Sequence, residues 1–550
     1  MRLFPLLCSL PMLAALPAAY ADTVIDNANG YTLNSKNELI QFAALAFDDK
    51  GRILAVGSAA QVAARVPTAR HVDVQGKTVL PGLIDAHGHV FSLGYMLGRL
   101  DLAGSASLAD ALKAAADFAR ANPNQAWLRG RGWNQEIWKL GRFPTAAELD
   151  SAVADRPMWL VRVDGHAGWA NSRALQLAGI TDATPDPAGG KIMRDANGKA
   201  TGVLVDAAQG LVNQVLPKQT EAEARTALDR SLAQLAKVGL TSVHDAGVTV
   251  GEDRLYRDYA DHGKLTARVY AMIGGVEQDF DQLSANGPLL SYADDMYALR
   301  AVKLYADGAL GSRGAALIAP YSDEPSSHGL LFRKDADIHA MMAKAMAKGY
   351  QVNVHAIGDA GNRQILDGYA KLARQSGLRH RIEHAQVVSL SDIARFKTLG
   401  IIPSMQPTHA TSDMNMAEQR VGADRIKGAY AWRSFLHQGS RIACGSDFPV
   451  ESPNPFFGIH AAVTRQDAGG MPIAGWYPEQ AMSLKEAFRC FTLDAAYAGH
   501  REQSTGSLEP GKWADFIVID RDLFKMPTYD IYQTAVLQTW VAGRQVYRQK

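Results

Sequence analysis

Histidine, lysine and aspartate residues stand at the ends of several short apolar segments, in types and spacings that could bind a metal ion. The first such segment runs from Thr78 to His87. His87 forms a His-x-His pair with His89, which follows two residues later. Two residues of separation in an extended chain direct both imidazoles to the same face, so that both could bind one ion. Taken alone, the pair is a weak signal for a metal and is more typical of hydrogen-bonded core or surface histidines.

Four further segments supply the same kinds of side chain. His355 ends a stretch in which polar residues alternate with valine, His384 ends the next segment, and Asp447 ends the last one. Alternation in the segment 301–307 turns Lys303 inward, where a lysine is costly unless it is paired or modified. A buried histidine or ion pair would explain each residue singly. For all six residues together the sequence predicts a divalent metal site.

The elements that must position these residues alternate between strands and helices. Helix signals separate most of the strands: Thr220 and Glu223 form a capping box, and Gly400 ends a helical pattern that begins at Ser391. Eight alternations predict an α/β fold, a (β/α)8 TIM-type barrel, which carries catalytic residues at the carboxyl ends of its strands. The eight predicted strands are 78–87, 241–247, 268–274, 301–308, 351–358, 381–386, 402–407 and 441–448.

Two regions lie outside this alternation. Residues from about 101 to 219 form a long insertion after the first strand, within a barrel domain that we expect to span 76–505. Strand-like segments in 22–75 and 506–550 are each too small for a core of their own. We therefore expect both chain ends to pair into one small β-sandwich.

Composition and the first residues bear on partners and compartment. The 550 residues carry a formal net charge of +1 and no long basic block, which argues against nucleic acid as a partner. Residues 1–21 have the basic start, apolar run and small-residue cleavage site of a Sec signal peptide, with cleavage after Ala21. We expect a periplasmic or secreted protein without a membrane span in the mature chain. Cys444 and Cys490 then remain, too few for a disulfide scaffold, and the pattern around Cys490 predicts a core position.

Several motifs taken in order resemble the amidohydrolase superfamily of metal-dependent hydrolases, and within it the N-substituted formamide deformylase-like branch. The resemblance covers nearly all of the mature chain. The motifs are LPGLIDAHGH from Leu80, GLTSVHDAG from Gly239, VKLYADG from Val302, VHAIGD from Val354, RIEH from Arg381, GSD from Gly445 and GSLEPGKWAD from Gly506, with GRGWNQ, DGHA and TGVL in the insertion.

The resemblance implies a ligand set. His87, His89 and Asp447 would bind the more buried ion, and His355 and His384 would bind a second ion. Lys303 occupies the place at which family members often carry a carboxylated lysine that bridges two metals. Without that modification, one ion held by His87, His89, Asp447 and either His355 or His384 is the alternative. Zinc suits imidazole and carboxylate ligands, although manganese, iron and cobalt accept similar sets.

Such a centre predicts a hydrolase that acts on a non-peptide carbon–nitrogen bond of a small amide-type substrate. A bound metal lowers the pKa of water towards about 7 and polarises a carbonyl. Asp447 would act as general acid/base, passing a proton to the leaving amine. The predicted substrate contacts are Tyr305, His166 and Arg313, with Trp133 and its neighbours Trp138 and Trp169 lining an apolar pocket; His244 and Asp245 are predicted to orient ligands.

Other functions fit the same residues. A lactonase, an esterase or a cyclic-amide hydrolase could use this metal centre, because metal chemistry does not choose the leaving group. A noncatalytic solute-binding barrel is the alternative from another class, although it predicts an eroded ligand set, whereas each expected ligand position is filled. The residues leave the oligomeric state open.

Overall fold

The structure is a computed structural model that describes residues 22–162, 165, 167–187, 190–277, 279–372 and 377–550. It divides into two units. The first contains the described residues up to Gly88, together with Leu235–Thr249 and Tyr259–Lys550. The second contains the described residues of His89–Gln234 together with Val250–Asp258.

Eight parallel strands form the centre of the first unit, and the short strand Leu289–Tyr292 adds to their sheet by antiparallel pairing with Tyr297–Tyr305. Neighbouring strands follow the chain order, and a parallel bridge between Gly88 and Phe448 joins the first strand to the segment after the last. This nearly closed sheet confirms the predicted barrel. The barrel strands, numbered one to eight below, are Leu83–Gly88, Leu240–Val248, Arg268–Gly274, Tyr297–Tyr305, Gln351–Ala356, Arg381–His384, Ile402–Met405 and Ala443–Cys444.

Helices alternate with these strands and begin and end at the expected signals. The Glu223 carboxylate accepts hydrogen bonds from the Thr220 backbone N–H (2.8 Å) and hydroxyl (3.1 Å), and Gly400 ends its helix with a φ of 69°. The helices from residue 221 onward are Glu221–Lys237, Val250–Asp261, Phe280–Leu283, Asp335–Ala347, Asp359–Leu372, Leu390–Leu399, Pro407–Asp413, Ala417–Arg425, Trp432–His437, Pro455–Thr464, Leu484–Cys490 and Leu493–Ala498.

Two further sheets in the first unit are built from the chain ends. A six-stranded sheet combines both ends, and a four-stranded sheet comes from the N-terminal part. Buried residues of both sheets, including Leu45, Phe47, Phe516 and Trp540, form one hydrophobic cluster. The strands are Thr23–Asp26, Asn29–Leu33, Leu39–Phe42, Ala44–Phe47, Ile53–Gly57, Arg70–Asp73, Thr78–Pro81, Phe516–Ile519, Val536–Val541 and Arg544–Arg548, with a helix at Ala59–Arg65.

The second unit holds most of the predicted insertion. Its core contains Trp133, Trp138 and Trp169, with ring centroids of each pair 6.2–6.5 Å apart. A six-stranded mixed sheet forms the unit from Leu100–Asp101, Leu128–Trp133, Met158–Arg162, Ala167–Ala170, Gly190–Arg194 and Ala200–Asp206, beside helices Val90–Leu97, Leu108–Ala121, Ala146–Ala152, Ser172–Leu177 and Gly210–Asn213.

The first and last predicted strands differ from the observed ones. The segment 78–87 forms two strands, separated at Gly82, and the earlier one joins the terminal sheet. A Cβ on Gly82 would lie 2.0 Å from the Thr241 hydroxyl oxygen, so this close approach requires glycine. The last strand shortens to Ala443–Cys444.

Cys444 and Cys490 form a disulfide, which the sequence did not predict. Cys490 is buried as expected, but it crosslinks the eighth barrel strand to a following helix. Within the described part of the chain, no helix combines the length and apolarity needed to cross a membrane.

Candidate metal centre

Three side chains from the first, sixth and eighth barrel strands or their ends bring metal-ligand atoms together. One donor atom each of His87, His384 and Asp447 lies within 4.8 Å of the others, and all three residues are buried. Strands one, six and eight deliver them from distant parts of the sequence because the barrel gathers its carboxyl ends. Two imidazoles and a carboxylate suit a divalent transition metal.

His87 is fixed by hydrogen bonds on both ring nitrogens. Its Nδ1–H donates to the buried Glu383 carboxylate, while Nε2 lies 3.1 Å from Lys303 Nζ and 3.5 Å from Asp447 Oδ1. Burial and the nearby Lys303 charge lower the pKa of His87 to about 4. The imidazole is therefore neutral at neutral pH, the form that binds a metal.

Glu383 belongs to a buried charge pair that sequence reasoning missed. Its carboxylate lies 2.7 Å from Nε of Arg381, whose Nη1 donates to His244 Nδ1 over 2.9 Å. Burial alone would raise the pKa of Glu383, but Arg381 and His87 outweigh it and hold the pKa well below its usual range. His244, predicted as an orienting residue, thus contacts the centre through Arg381 and Glu383.

His384 reaches the same place through an unusual backbone conformation. It has a φ of 72°, and Asp447 a φ of 58°, both in the left-handed region that is strained for side chains other than glycine. Nδ1 of His384 donates to Gln406 Oε1 over 2.7 Å, which directs Nε2 away from that contact. Burial, with His355 as a second cause, lowers the pKa of His384 well below its usual value.

Asp447 is positioned by the first barrel strand. Its backbone N–H donates to the His87 carbonyl oxygen over 2.7 Å. The preceding Ser446 donates its hydroxyl to the Asp85 carboxylate over 2.6 Å, and the same carboxylate accepts the His87 backbone N–H over 3.0 Å. Asp85 therefore ties the two strand ends that carry these ligands.

Lys303 and His355 lie beside this group. Lys303 is 1% exposed, and burial lowers its pKa to about 8. The ring of His355 lies 4.5 Å from that of His384, and its Nε2 makes no hydrogen bond to the described residues, with Asp307 Oδ1 at 3.7 Å. Burial, with the Lys303 charge as a second cause, lowers the pKa of His355 to about 3.

These residues fit a metal ion. His87 and His384 each engage Nδ1 with a side-chain oxygen, which leaves Nε2 as the nitrogen that would coordinate an ion, the usual arrangement for ligating histidines; at His87 the ion would replace the Lys303 contact. His355 adds a neutral imidazole with an unsatisfied buried nitrogen. An ion at this place would explain why neutral imidazoles and carboxylates are buried together.

A comparison with protein families agrees with this geometry. The family model described as "Amidohydrolase family" matches residues 70–547. The chain belongs to this amidohydrolase family. The match includes the barrel, the insertion and the strands of the terminal sheets from Arg70 onward.

Individual relatives extend over nearly the whole amidohydrolase. The chain is 34% identical to Protein LONG AFTER FAR-RED 3 from Arabidopsis thaliana, over 96% of this chain and 92% of that protein. It is 31% identical to N-substituted formamide deformylase from Arthrobacter pascens, over 95% of this chain and 97% of that protein, which confirms the predicted branch. A crystal structure of an uncharacterized metal-dependent hydrolase from Pyrococcus horikoshii superposes with a TM-score of 0.77 at 27% identity, covering 92% of this chain and 99% of that one.

Of the predicted substrate contacts of this amidohydrolase, Tyr305 lies beside the candidate metal centre, whereas Arg313 is engaged in an ion pair. Tyr305 ends the fourth barrel strand, half-exposed, with its ring 4.8 Å from Lys303 Nζ and 5.5 Å from the His355 ring. Arg313 instead pairs with Asp323 over 3.0 Å.

The other two predicted contacts, Trp133 and His166, and the predicted ligand His89 lie between the first and second barrel strands in the sequence. Trp133 is fully buried, and its Nε1 donates to the Leu160 carbonyl over 2.8 Å, so a substrate contact would require this core to open. His166 lies outside the described residues. His89 follows Gly88 directly, begins the second unit and is half-buried; its role as a ligand stays a prediction.

His409 is a further residue of the site that the sequence did not single out. It lies on the helix Pro407–Asp413, with Nε2 3.9 Å from Asp447 Oδ2 and its ring 5.9 Å from that of His384. Nε2 has no hydrogen-bond partner among the described residues. Its position just after the seventh barrel strand was the available signal, because that strand end faces the other ligands.

Proposed function

We propose that this amidohydrolase cleaves a non-peptide carbon–nitrogen bond of amide type in a small molecule. The observation that carries the proposal is the convergence of His87, His384 and Asp447 donor atoms within 4.8 Å at the barrel strand ends. The relative named N-substituted formamide deformylase supports the amide-type bond. An N-formyl or N-acyl amine is the substrate class that we infer.

Each residue would have a defined task. A divalent metal held by His87, His384 and Asp447, most suitably zinc, supplies a lowered water pKa and a polarised carbonyl when bound. Asp447 accepts the proton of the attacking water and delivers it to the amine nitrogen, since an unprotonated amide nitrogen is a very poor leaving group. Tyr305 would donate its hydroxyl to the substrate carbonyl oxygen; although the residue is half-exposed, desolvation within the site, with the Asp447 and Glu383 charges as further causes, raises the pKa of Tyr305 and keeps that proton in place.

The number of ions depends on Lys303. If Lys303 is carboxylated, its new carboxylate together with His355 and His384 would hold a second ion. If Lys303 is unmodified, a single ion would be held by His87, His89, Asp447 and one of the two other histidines. The buried, unprotonated fraction of Lys303, whose pKa is lowered to about 8, supports the modified form because the free amine is the form that reacts with carbon dioxide.

The compartment is part of the proposal. We infer export through the signal peptide 1–21 and cleavage after Ala21; these residues lie outside the described ranges. The Cys444–Cys490 disulfide supports an oxidising periplasmic or extracellular destination. Mass spectrometry of the protein purified from its native host tests this, because retention of Met1 in the folded protein would contradict export.

Elemental analysis joined to a substrate screen tests the function. We expect about one or two transition-metal equivalents per chain, and their loss in Asp447→Asn but not in the surface control Asp367→Asn. The screen compares N-formyl and N-acyl amines with ester, lactone and cyclic-amide analogues on the metal-loaded protein. Faster hydrolysis of an ester or lactone would replace the amide proposal, and failure to bind any metal on reconstitution would favour a solute-binding barrel.

A further inference from the structure

The second unit contains a cleft that the proposed hydrolysis does not use. It encloses about 610 Å³, a volume typical of small-molecule sites. Its lining comes from the end of the helix Val90–Leu97, the turn after Leu108–Ala121, the start of the strand Leu128–Trp133 and the first turns of the helix Glu221–Lys237. Three arginines, Arg99, Arg129 and Arg230, contribute to it.

The arginines come together in one part of this cleft. A Cβ on Gly98 would lie 2.0 Å from Nη1 of Arg230, so the missing side chain makes room for that guanidinium beside Arg99. Arg129 donates to the Pro217 carbonyl over 3.4 Å. Arg99 is exposed, yet partial desolvation in the cleft and the neighbouring charges of Arg129 and Arg131 lower its pKa, as expected for cations held close together.

No acidic side chain in the described part of the chain forms an ion pair with Arg99, Arg129 or Arg230. The contrast on the helix Glu221–Lys237 is direct, because Arg225, five residues before Arg230, pairs with both Glu221 and Asp258. The acidic residue of the lining, Glu223, already accepts the hydrogen bonds of the Thr220 capping box. The cleft therefore holds an excess of positive charge.

A flat aromatic side chain completes the cleft. Trp127 precedes the strand Leu128–Trp133 and is only partly buried against the core of the unit. Guanidinium groups bind carboxylates and phosphoryl groups through two parallel hydrogen bonds, and an indole face packs against planar or apolar groups. We infer that this cleft binds a small organic anion, with its oxyanion group on Arg99 and Arg230 and its planar or apolar body against Trp127.

Calorimetric titration of the metal-loaded protein tests the inference. The probes are phenyl phosphate and benzoate, which share the ring and differ in the oxyanion, and inorganic phosphate, which lacks the ring. We expect a ring-bearing probe to bind at one site per chain, about tenfold or more weakly in Arg99→Gln and in Arg230→Gln. Whichever probe binds better identifies a phosphorylated or a carboxylated ligand.

Controls separate this cleft from other sites. Arg173→Gln removes an exposed arginine of the same unit whose side chain bonds Gln176, and it should bind like the parent protein. Trp127→Ala should weaken phenyl phosphate more than inorganic phosphate. Melting curves of each variant verify folding, and Arg99→Lys, which keeps the charge, gives an intermediate affinity if the double hydrogen bond matters.

Two results would overturn the inference. One is the absence of binding by all three probes up to about 10 mM, a concentration that detects even weak sites. The other is binding that Arg99→Gln and Arg230→Gln leave unchanged, or that Asp447→Asn abolishes, since an oxyanion can also bind a metal ion. Neither result bears on the proposed hydrolysis, which is tested at the barrel ligands.

Discussion

The Glu383 carboxylate accepts the Nδ1–H of His87 and at the same time pairs with Arg381. All three side chains are fully buried, so the orientation of His87, a proposed metal ligand, depends on a charge pair that solvent does not screen. Glu383 is therefore a positioning residue for His87, and its removal should affect metal binding before it affects any substrate contact.

Glu383→Gln should weaken metal binding by about 10- to 100-fold, because a neutral amide holds His87 less firmly. It should also lower the free energy of unfolding by about 3 kcal/mol, since Arg381 loses its buried counter-charge. Competition with a chromophoric chelator measures the affinity. Glu502→Gln is the matched control: it breaks a half-buried pair with Arg379 (2.7 Å) and should leave metal affinity intact. Equal metal affinity in the two variants would contradict this role of Glu383.

His409→Gln should lower kcat/KM by about tenfold or more while metal content stays at the parent value. The reason is the place of Nε2, which lies 3.9 Å from Asp447 Oδ2 and makes no hydrogen bond to described residues, so it is available to a substrate or to the transferred proton. Steady-state kinetics and elemental analysis on the same preparation provide the two readouts. Loss of metal in parallel with activity would instead make His409 a ligand.

The double variant Cys444→Ser/Cys490→Ser should unfold more easily by about 4 kcal/mol, the chain-entropy estimate for a crosslink across 46 residues. Chemical denaturation with and without reductant measures the difference. Reductant should destabilise the parent protein and leave the double variant unchanged. Two titratable thiols in the unreduced, denatured parent protein would show that the bond does not form.

The stability of the metal-free protein should fall as the pH drops from about 6.5 towards 4, partly because of His380. Burial, with the His500 charge as a second cause, lowers the pKa of His380 to about 4 from the model-peptide value of 6.5. In this window the unfolded chain binds a proton that the folded protein does not, so stability rises with pH and is fully recovered above about 6.5.

His380→Asn isolates that contribution. Asparagine keeps an acceptor for the Val352 N–H, which donates to His380 Nδ1 over 2.9 Å, but it does not titrate. The loss of stability across the window should shrink by up to about 3 kcal/mol, measured by denaturation at several pH values. His437→Asn, an exposed position, controls for the removal of a histidine as such. An unchanged pH dependence in His380→Asn would rule out His380 as the source.

Alternation of side chains predicted the barrel and much of the centre, because periodicity records which face of a strand is buried. The third strand was predicted at its observed bounds, Arg268–Gly274, and Lys303 lies among the ligands as its inward position required. The last strand was predicted too long: the observed strand is Ala443–Cys444, and Asp447 beyond it adopts a left-handed φ that a strand does not contain.

The same rule explains why Glu383 was missed. We placed His384 on the inward face, which in a regular strand would turn Glu383 and Arg381 away from the centre. In the structure Glu383 and Arg381 lie on the interior, and His384 reaches the centre because its backbone turns at a φ of 72°. The pattern of apolar and polar residues does not predict a left-handed backbone conformation at a single residue. The disulfide was not predicted either, because the pairing of its two cysteines depends on how the helix Leu484–Cys490 packs against the eighth strand.

The Asp85–Ser446 hydrogen bond has a consequence for biogenesis. It joins residues 361 positions apart, and the His87 and Asp447 ligands follow directly from them. During synthesis, a chain that still lacks its eighth strand contains His87 but not Asp447, the second proposed ligand. The proposed ion site therefore cannot be complete until the eighth strand has been made, and an ion bound there would report that both ends of the barrel have met. If the chain crosses a membrane before it folds, the ion must come from the compartment of arrival.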